Sequence, residues 1–410
     1  MRVPFASISP QYWKVWTGSA SSNLSDGVYI VAAPLLAASL TRDPVLVAGV
    51  SFAFGLPWLI FPLISGALVD RLDRRVVMGA GNVLRASLIG TLGLLVLFGW
   101  ASLPLLYVVF FLLGTVETMY DNAAQAIIPA VAGRENLEKA NGRLYAVELV
   151  NNQFAGPPLG GFLFGVAAAA PFLFGAGAFA AASAMVLSLR GSFRPAKEEG
   201  AAPRSSLFSE IGEGLRWLYG HRLLRLLAVI LGATNMAFSA VFAIMVLFAQ
   251  DVLGLGSFGY GLLLTSIAVG GVLGSFTSER IIRFFGSGRS LFLCAVLDVV
   301  VFAAIATAGN AFFVGGMLIM TGVVMVIWNV ITVSLRQSIV PEHLFGRVNS
   351  VYRMLGWGGM PLGALLGGLL ARELGLTAPM WAAAAILLAI AIITWRYVDN
   401  EAIERARAEA

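Results

Sequence analysis

The sequence predicts an all-α membrane protein: twelve transmembrane helices in two pseudo-symmetric six-helix bundles. Three observations predict it. Of 410 residues, 59% are hydrophobic and 12% charged, the latter about half the ~25% of a globular chain. Too few charges remain to cover a water-exposed surface, so most of the outside must face lipid. Twelve stretches reach the ~20 apolar residues that a membrane-crossing helix requires. The two halves of the chain also resemble each other at an offset of about 210 residues.

Cutting at Pro, Gly and charge clusters places the first six spans at about 14–40, 44–69, 76–98, 103–128, 138–165 and 168–190. The other six fall at about 222–250, 257–284, 289–308, 311–338, 343–371 and 377–397. The polar start, Met1 to Gln11, is short, and the apolar stretch after it is long enough to remain as a span, so no cleaved leader is predicted. The domains expected are a bundle over 1–190, a linker over 191–220 and a bundle over 221–410. Within the linker, Leu207, Phe208, Ile211, Leu215 and Leu218 recur at helical spacing, with Glu210 and Glu213 early and Arg216 late. That pattern predicts an amphipathic helix on the inner membrane surface or a solvated linker helix.

Of the 27 Lys+Arg, only Arg42 and Arg372 fall in odd-numbered connections, and Arg85 lies inside a span. The other 24 of the 27 share the side of the termini. Cations concentrate on the cytoplasmic side, so both termini are expected in the cytoplasm of a bacterial inner-membrane protein. The net charge of +5 then reflects cytoplasmic loops and anionic headgroups, not nucleic acid. Cys294 is alone, and two histidines, His221 and His343, cannot build a histidine-rich metal site. No disulfide, metal or other cofactor is expected.

The repeat is specific. Gln125-Ala-Ile-Ile-Pro129 returns as Gln337-Ser-Ile-Val-Pro341, and Tyr145, Gly156, Leu159, Gly160 and Gly161 meet Tyr352, Gly363, Leu366, Gly367 and Gly368. Six spans per half give both halves one orientation, so the repeat is parallel about an axis along the membrane normal. It also aligns intramembrane polar residues: Asn23 with Asn235, Glu117 with Asn329, and Arg85 with Asp298.

After the second span comes Gly66-Ala-Leu-Val-Asp70-Arg71-Leu-Asp73-Arg74-Arg75. It resembles the loop signature of the major facilitator superfamily, Gly-x-x-x-Asp-Arg-x-Gly-Arg-Arg, with Asp73 where glycine is common. The resemblance implies that Asp70 docks the second half in one access state and that Arg74 pairs with an acid on the fourth span, for which Asp121 is placed. Gly156-Pro157-Pro158-Leu159-Gly160-Gly161 is similar to the core of the antiporter signature, although Asn152 stands where a glycine is usual. Such small residues let helices approach closely, and the prolines remove backbone donors. Gly270, Gly271 and Gly274 on the eighth span are its expected packing partners. The runs Asn122–Pro129, Ala140-Asn141 and Glu213–Arg225 resemble the drug:proton antiporter branch that includes macrolide efflux proteins and the enterobactin exporter. The family implies alternating access to a path between the halves.

ATP hydrolysis is excluded in this chain. A phosphate-binding loop needs Gly-Lys-[Ser/Thr], and Lys14, Lys139 and Lys197 all lack a preceding glycine. Gly254-Leu-Gly256-Ser-Phe-Gly259 has the spacing of a dinucleotide motif but sits between spans, so it reads as a turn. Secondary transport remains. A charge at mid-bilayer costs ~2.5–3.5 kcal/mol, so Asp26, Glu117, Glu148 and Arg85 must be paired or functional. Asp26 and Glu117 are the leading proton carriers, with Arg85 or substrate competing for the carboxylate. Glu148 pairs with Arg85 or carries a proton, and Asp121 is more a latch than a carrier. A substrate cavity is expected along Asn23, Tyr29, Tyr120, Asn235, Phe238, Trp328 and Asn329, a mixture of rings and amides suited to a bulky amphipathic molecule. The expected partners are a small-molecule substrate, protons and lipids, with the chain a monomer that binds no nucleic acid. Import by symport, lipid flipping and a non-transporting sensor are the competing readings.

Overall fold

The computed structural model describes residues 8–61, 65, 68–69, 71–194 and 207–408, and the side chains of 134, 207–211, 342 and 343 are outside that set. The helices of the first half are α1 (Pro10–Leu40), α2 (Pro44–Ile60), α3 (Arg74–Leu97), α4 (Leu103–Ala132), α5 (Leu137–Leu149), α6 (Gly156–Val166) and α7 (Ala170–Leu187). After α8 (Leu207–Gly220) come α9 (Arg222–Phe242), α10 (Ser257–Phe285), α11 (Ser287–Ala306), α12 (Ala311–Ile339), α13 (Glu342–Leu374), α14 (Ala378–Tyr397) and the short α15 (Asn400–Ala408). Among the described residues, ten helical segments are long and apolar enough to cross a membrane, and Pro44–Ile60 is a shorter apolar one. The fifth span is a composite: α5 and α6 joined by a π-helical turn, Val150–Ala155.

Local chemistry sets several of these boundaries. Asp73 caps α3: its carboxylate accepts from the N–H of Arg75 at 3.0 Å and of Phe193 at 3.2 Å, tying the helix start to the segment after α7. The residue that departs from the family loop pattern therefore has a defined structural task. Asn310 caps α12, accepting from the N–H of Phe312 and Phe313. Pro157 and Pro158 cannot donate to carbonyls four residues back. The ladder shifts by one residue just before them, and the Gly156 N–H bonds the carbonyl of Asn151.

The chain folds as two compact units. One comprises 1–40, 53–200 and 256–262, and the other 41–52, 201–255 and 263–410. Each unit thus takes in the start of a helix from the opposite half of the sequence. In the first unit, a Cβ on Gly156 would lie 2.5 Å from the Gly27 Cα, and one on Gly160 would lie 2.4 Å from the Val28 carbonyl oxygen. Only glycine admits α1 so close to α6. The same contact recurs in the second unit, where Gly363 and Gly367 meet the carbonyls of Met236 and Ala240 on α9.

Gly270, Gly271 and Gly274 do not pack on the Gly156 string. Gly270 and Gly274 meet Ile319 and Val323 on α12, and Gly271 lies beside Val326. The glycine of α10 that reaches Pro157 is Gly261, near the start of that helix. Small residues run along most of α10, and composition alone did not show which of them faced α6. Tyr145 and Tyr352, matched in the repeat, also differ: Tyr145 is exposed, while Tyr352 is buried and donates to the Leu224 carbonyl. The amphipathic stretch before the seventh span forms α8 and docks on the second unit, with Leu218 buried and Glu213 ion-paired to Arg347 at the start of α13.

Candidate functional site: a charged cluster in the first unit

Arg85 sits midway along α3, and its side chain is 1% exposed. A guanidinium so placed has five donors and must find acceptors. Its Nη2 lies 3.6 Å from Asp26 Oδ1 on α1 and 3.4 Å from Glu117 Oε2 on α4, and its Nη1 donates to Ser22 Oγ at 3.1 Å. The Tyr29 hydroxyl donates to the same Glu117 oxygen at 3.2 Å. Two rings cover the cation: Arg85 Cζ stands 5.1 Å from the centroid of Tyr120 and 4.9 Å from that of Phe179. Stacking on ring faces stabilises a desolvated guanidinium. Tyr29 in turn meets Phe54 and Phe110 edge-on, which sets apolar rings beside the cluster.

Two carboxylates face one guanidinium, so the fully ionised cluster carries one surplus negative charge. Its hydrogen bonding is also incomplete. Among the described residues, Asp26 Oδ1 and Arg85 Nε have no hydrogen-bond partner, nor have both polar atoms of fully buried Asn82, one turn before Arg85 on α3. Buried polar groups are usually satisfied, so unpaired atoms gathered around one buried cation single this cluster out as a candidate site.

Asp26, Glu117 and Arg85 thus come together, and Tyr29 and Tyr120, expected along a substrate path, lie inside the same cluster. Glu148 is exposed and lies within electrostatic range of Asp26, but no ion pair joins it to Arg85. Asp121 lies within electrostatic range of Arg85, and among the described residues no ion pair joins it to Arg74. Arg74 instead donates its backbone N–H to the Phe193 carbonyl at 3.4 Å. Gly66 and Asp70 of the loop lie outside the described residues, and Arg71 is exposed. Asn23 is half-buried.

In the second unit, Asn235 donates to the Gly356 carbonyl at 2.8 Å, and Phe238 meets Phe302 edge-on at 5.0 Å. Trp328 is partly buried against the apolar core of that unit, and Asn329 is exposed. Sequence reasoning missed Ser22, Asn82 and Phe179. Asn82 had a usable signal, since it stands three residues before Arg85 and so on the same helix face.

A family profile described as Transmembrane secretion effector matches residues 3–407. The multidrug efflux pump Tap of Mycolicibacterium fortuitum is 27% identical over 396 residues, covering 91% of this chain and 92% of that protein. The enterobactin exporter EntS of Shigella boydii serotype 4 is 26% identical over 365 residues, covering 88% and 85%. Among solved structures, the nucleoside transporter NupG superposes with a TM-score of 0.73 at 13% identity, over 94% of this chain and 98% of that one. An inward-facing bacterial homologue of the iron transporter ferroportin gives 0.72 at 17% identity, over 94% and 98%. At such identities the structures speak for the fold alone. The fold is the twelve-span arrangement predicted from sequence, the chain is a transporter and not an enzyme, and it belongs to the transmembrane secretion effector family of the major facilitator superfamily.

Proposed function

We propose that this transporter exports a bulky amphipathic small molecule in exchange for protons, by alternating access, with both termini in the cytoplasm. The observation that carries the reading is the cluster of Asp26, Glu117 and Arg85, in which a buried and a half-buried acid share one buried base. Burial disfavours the surplus charge, and one proton removes it. Arg85 then holds whichever carboxylate stays ionised, and Tyr29 steadies Glu117. Opening to the outside admits a proton to the vacant carboxyl. Opening to the cytoplasm releases it as substrate enters, so the two never need to be bound together. Export, and not import, is favoured by the full-length resemblance to Tap and EntS, whose names state efflux and export. Asn23, Asn235, Phe238, Trp328 and Asn329 are the residues to test as substrate contacts, and Asp70, Arg71, Arg74 and Asp121 as the gate.

A drug-susceptibility panel in a pump-deficient bacterium, with and without a protonophore, identifies a transported compound. In sealed vesicles that compound then drives proton release through the wild type. Release unchanged in both Glu117→Gln and Asp26→Asn overturns the assignment. Accumulation in right-side-out but not in inverted vesicles overturns export.

A further inference from the structure

The second unit holds a buried acid that the mechanism above does not use. Asp298 lies midway along α11, is 5% exposed, and its Oδ1 has no hydrogen-bond partner. Among the described residues no ion pair or hydrogen bond reaches it. The helices packed against α11 are α12, α14 and α15. Their ionisable residues with described side chains are Arg336, Arg396, Tyr397, Glu401, Glu404, Arg405 and Arg407, all at the end where α11 begins. Arg336 is roughly 12 Å from Asp298 along the helix direction, counted at ~1.5 Å per residue from the shared end. On α9, whose Phe238 ring reaches α11, the charges are Arg222 and Arg225 in the first turn. Within α11 the nearest titratable group is the Cys294 thiol one turn earlier, buried and in electrostatic range of Asp298.

In the repeat, Asp298 takes the place of Arg85, Phe238 that of Asp26 and Asn329 that of Glu117. Phe238 lies edge-on to Phe302, one turn beyond Asp298, so the ring from α9 covers this acid's side of α11. The first unit resolves its buried charge with a base between two acids. The second has an acid with neither a base nor a donor among the described residues, and a buried charge without a partner is costly.

We propose that Asp298 is a second proton-binding site, separate from the Asp26–Arg85–Glu117 cluster, which takes up and releases a proton as its surroundings become hydrated. A buried structural acid is usually hydrogen-bonded within the protein, and among the described residues Asp298 has no such partner. The inference extends the proton-exchange reading, but its test does not depend on transport. Cys294 is the chain's single cysteine, so its S–H stretch in the infrared spectrum is an unambiguous reporter of charge at Asp298.

The experiment uses the full chain in lipid nanodiscs, without substrate or gradient. The S–H band of the wild type is followed across the pH range in which the protein stays folded, beside a potentiometric titration. The expected result is a band that shifts with pH in the wild type, stays fixed in Asp298→Asn, and shifts again with a displaced midpoint in Asp298→Glu. Asp298→Asn should release one proton fewer over the same range. A band that ignores pH in the wild type, or one that shifts equally in Asp298→Asn, overturns the proposal. If proton exchange itself is wrong, the vesicle assay fails and this titration still stands. If only Asp298 is misassigned, the vesicle assay succeeds and the titration fails.

Discussion

Arg85 can neutralise one carboxylate while two face it, and this imbalance makes distinct predictions for the three residues. Removing the base leaves two uncompensated acids in a low-dielectric interior, where breaking a buried pair typically costs ~3–5 kcal/mol. Arg85→Met should therefore unfold markedly earlier than the wild type in detergent, as read by tryptophan fluorescence on heating. Adding Glu117→Gln to it should recover part of the loss, because one uncompensated acid remains instead of two. Glu117→Gln alone should unfold close to wild type yet lose at least tenfold in substrate-driven proton release. Fold and coupling then separate in one pair of measurements. The cluster was partly legible in the sequence, since a charge inside an apolar span is visible without a structure. Asp26, Arg85 and Glu117 were found that way. Phe179 was not, because a phenylalanine in an apolar span looks the same whether it meets lipid or covers a guanidinium.

The helices themselves were legible because membrane length and apolar composition fix where they begin and end, and the boundaries of α10 to α14 fall within about three residues of those predicted. Partner choice was less visible. The Gly156 string announces a close contact, but its partners are α1 and the start of α10, not the glycines further along α10. Periodicity says which face is small and leaves open what packs there. The contact predicts a sharp contrast between two glycines. In Gly160→Ala the new methyl meets the Val28 carbonyl, so α1 and α6 must part, an overpacking cost of roughly 1–3 kcal/mol. Around Gly177 on α7 there is nothing within 4 Å of a built Cβ. Gly177→Ala should be neutral or stabilising by about 0.5–1 kcal/mol, the usual helix gain over glycine. Equal thermal stability of the two variants would remove the close-contact account. At the start of α3, Asp73→Ala should cost about 0.5–2 kcal/mol for the lost cap.

For the whole molecule, the decisive quantity is the number of charges moved per substrate, because it sets the gradient the transporter can sustain. One elementary charge crossing a 100 mV potential contributes ~2.3 kcal/mol, and 1.4 kcal/mol is a factor of ten, so one proton per neutral substrate supports a gradient of about 50-fold. Two protons, one from each unit, support roughly 2,000-fold. The repeat makes the distinction physical: among the described residues its first copy gathers two acids on one buried base, and its second buries a single acid. In proteoliposomes held at equal pH on both sides, with a potassium diffusion potential imposed through valinomycin, the wild type should drive a neutral transported compound beyond the one-charge limit. Asp298→Asn should stop near that limit, and Glu117→Gln should lose most of the gradient because exchange stalls. A monovalent cationic compound offers the control. Its own charge cancels one proton, so the wild-type gradient should drop to the one-charge value, while Asp298→Asn becomes electroneutral and ignores the potential. A wild type that never exceeds the one-charge limit with the neutral compound would confine coupling to the cluster around Arg85.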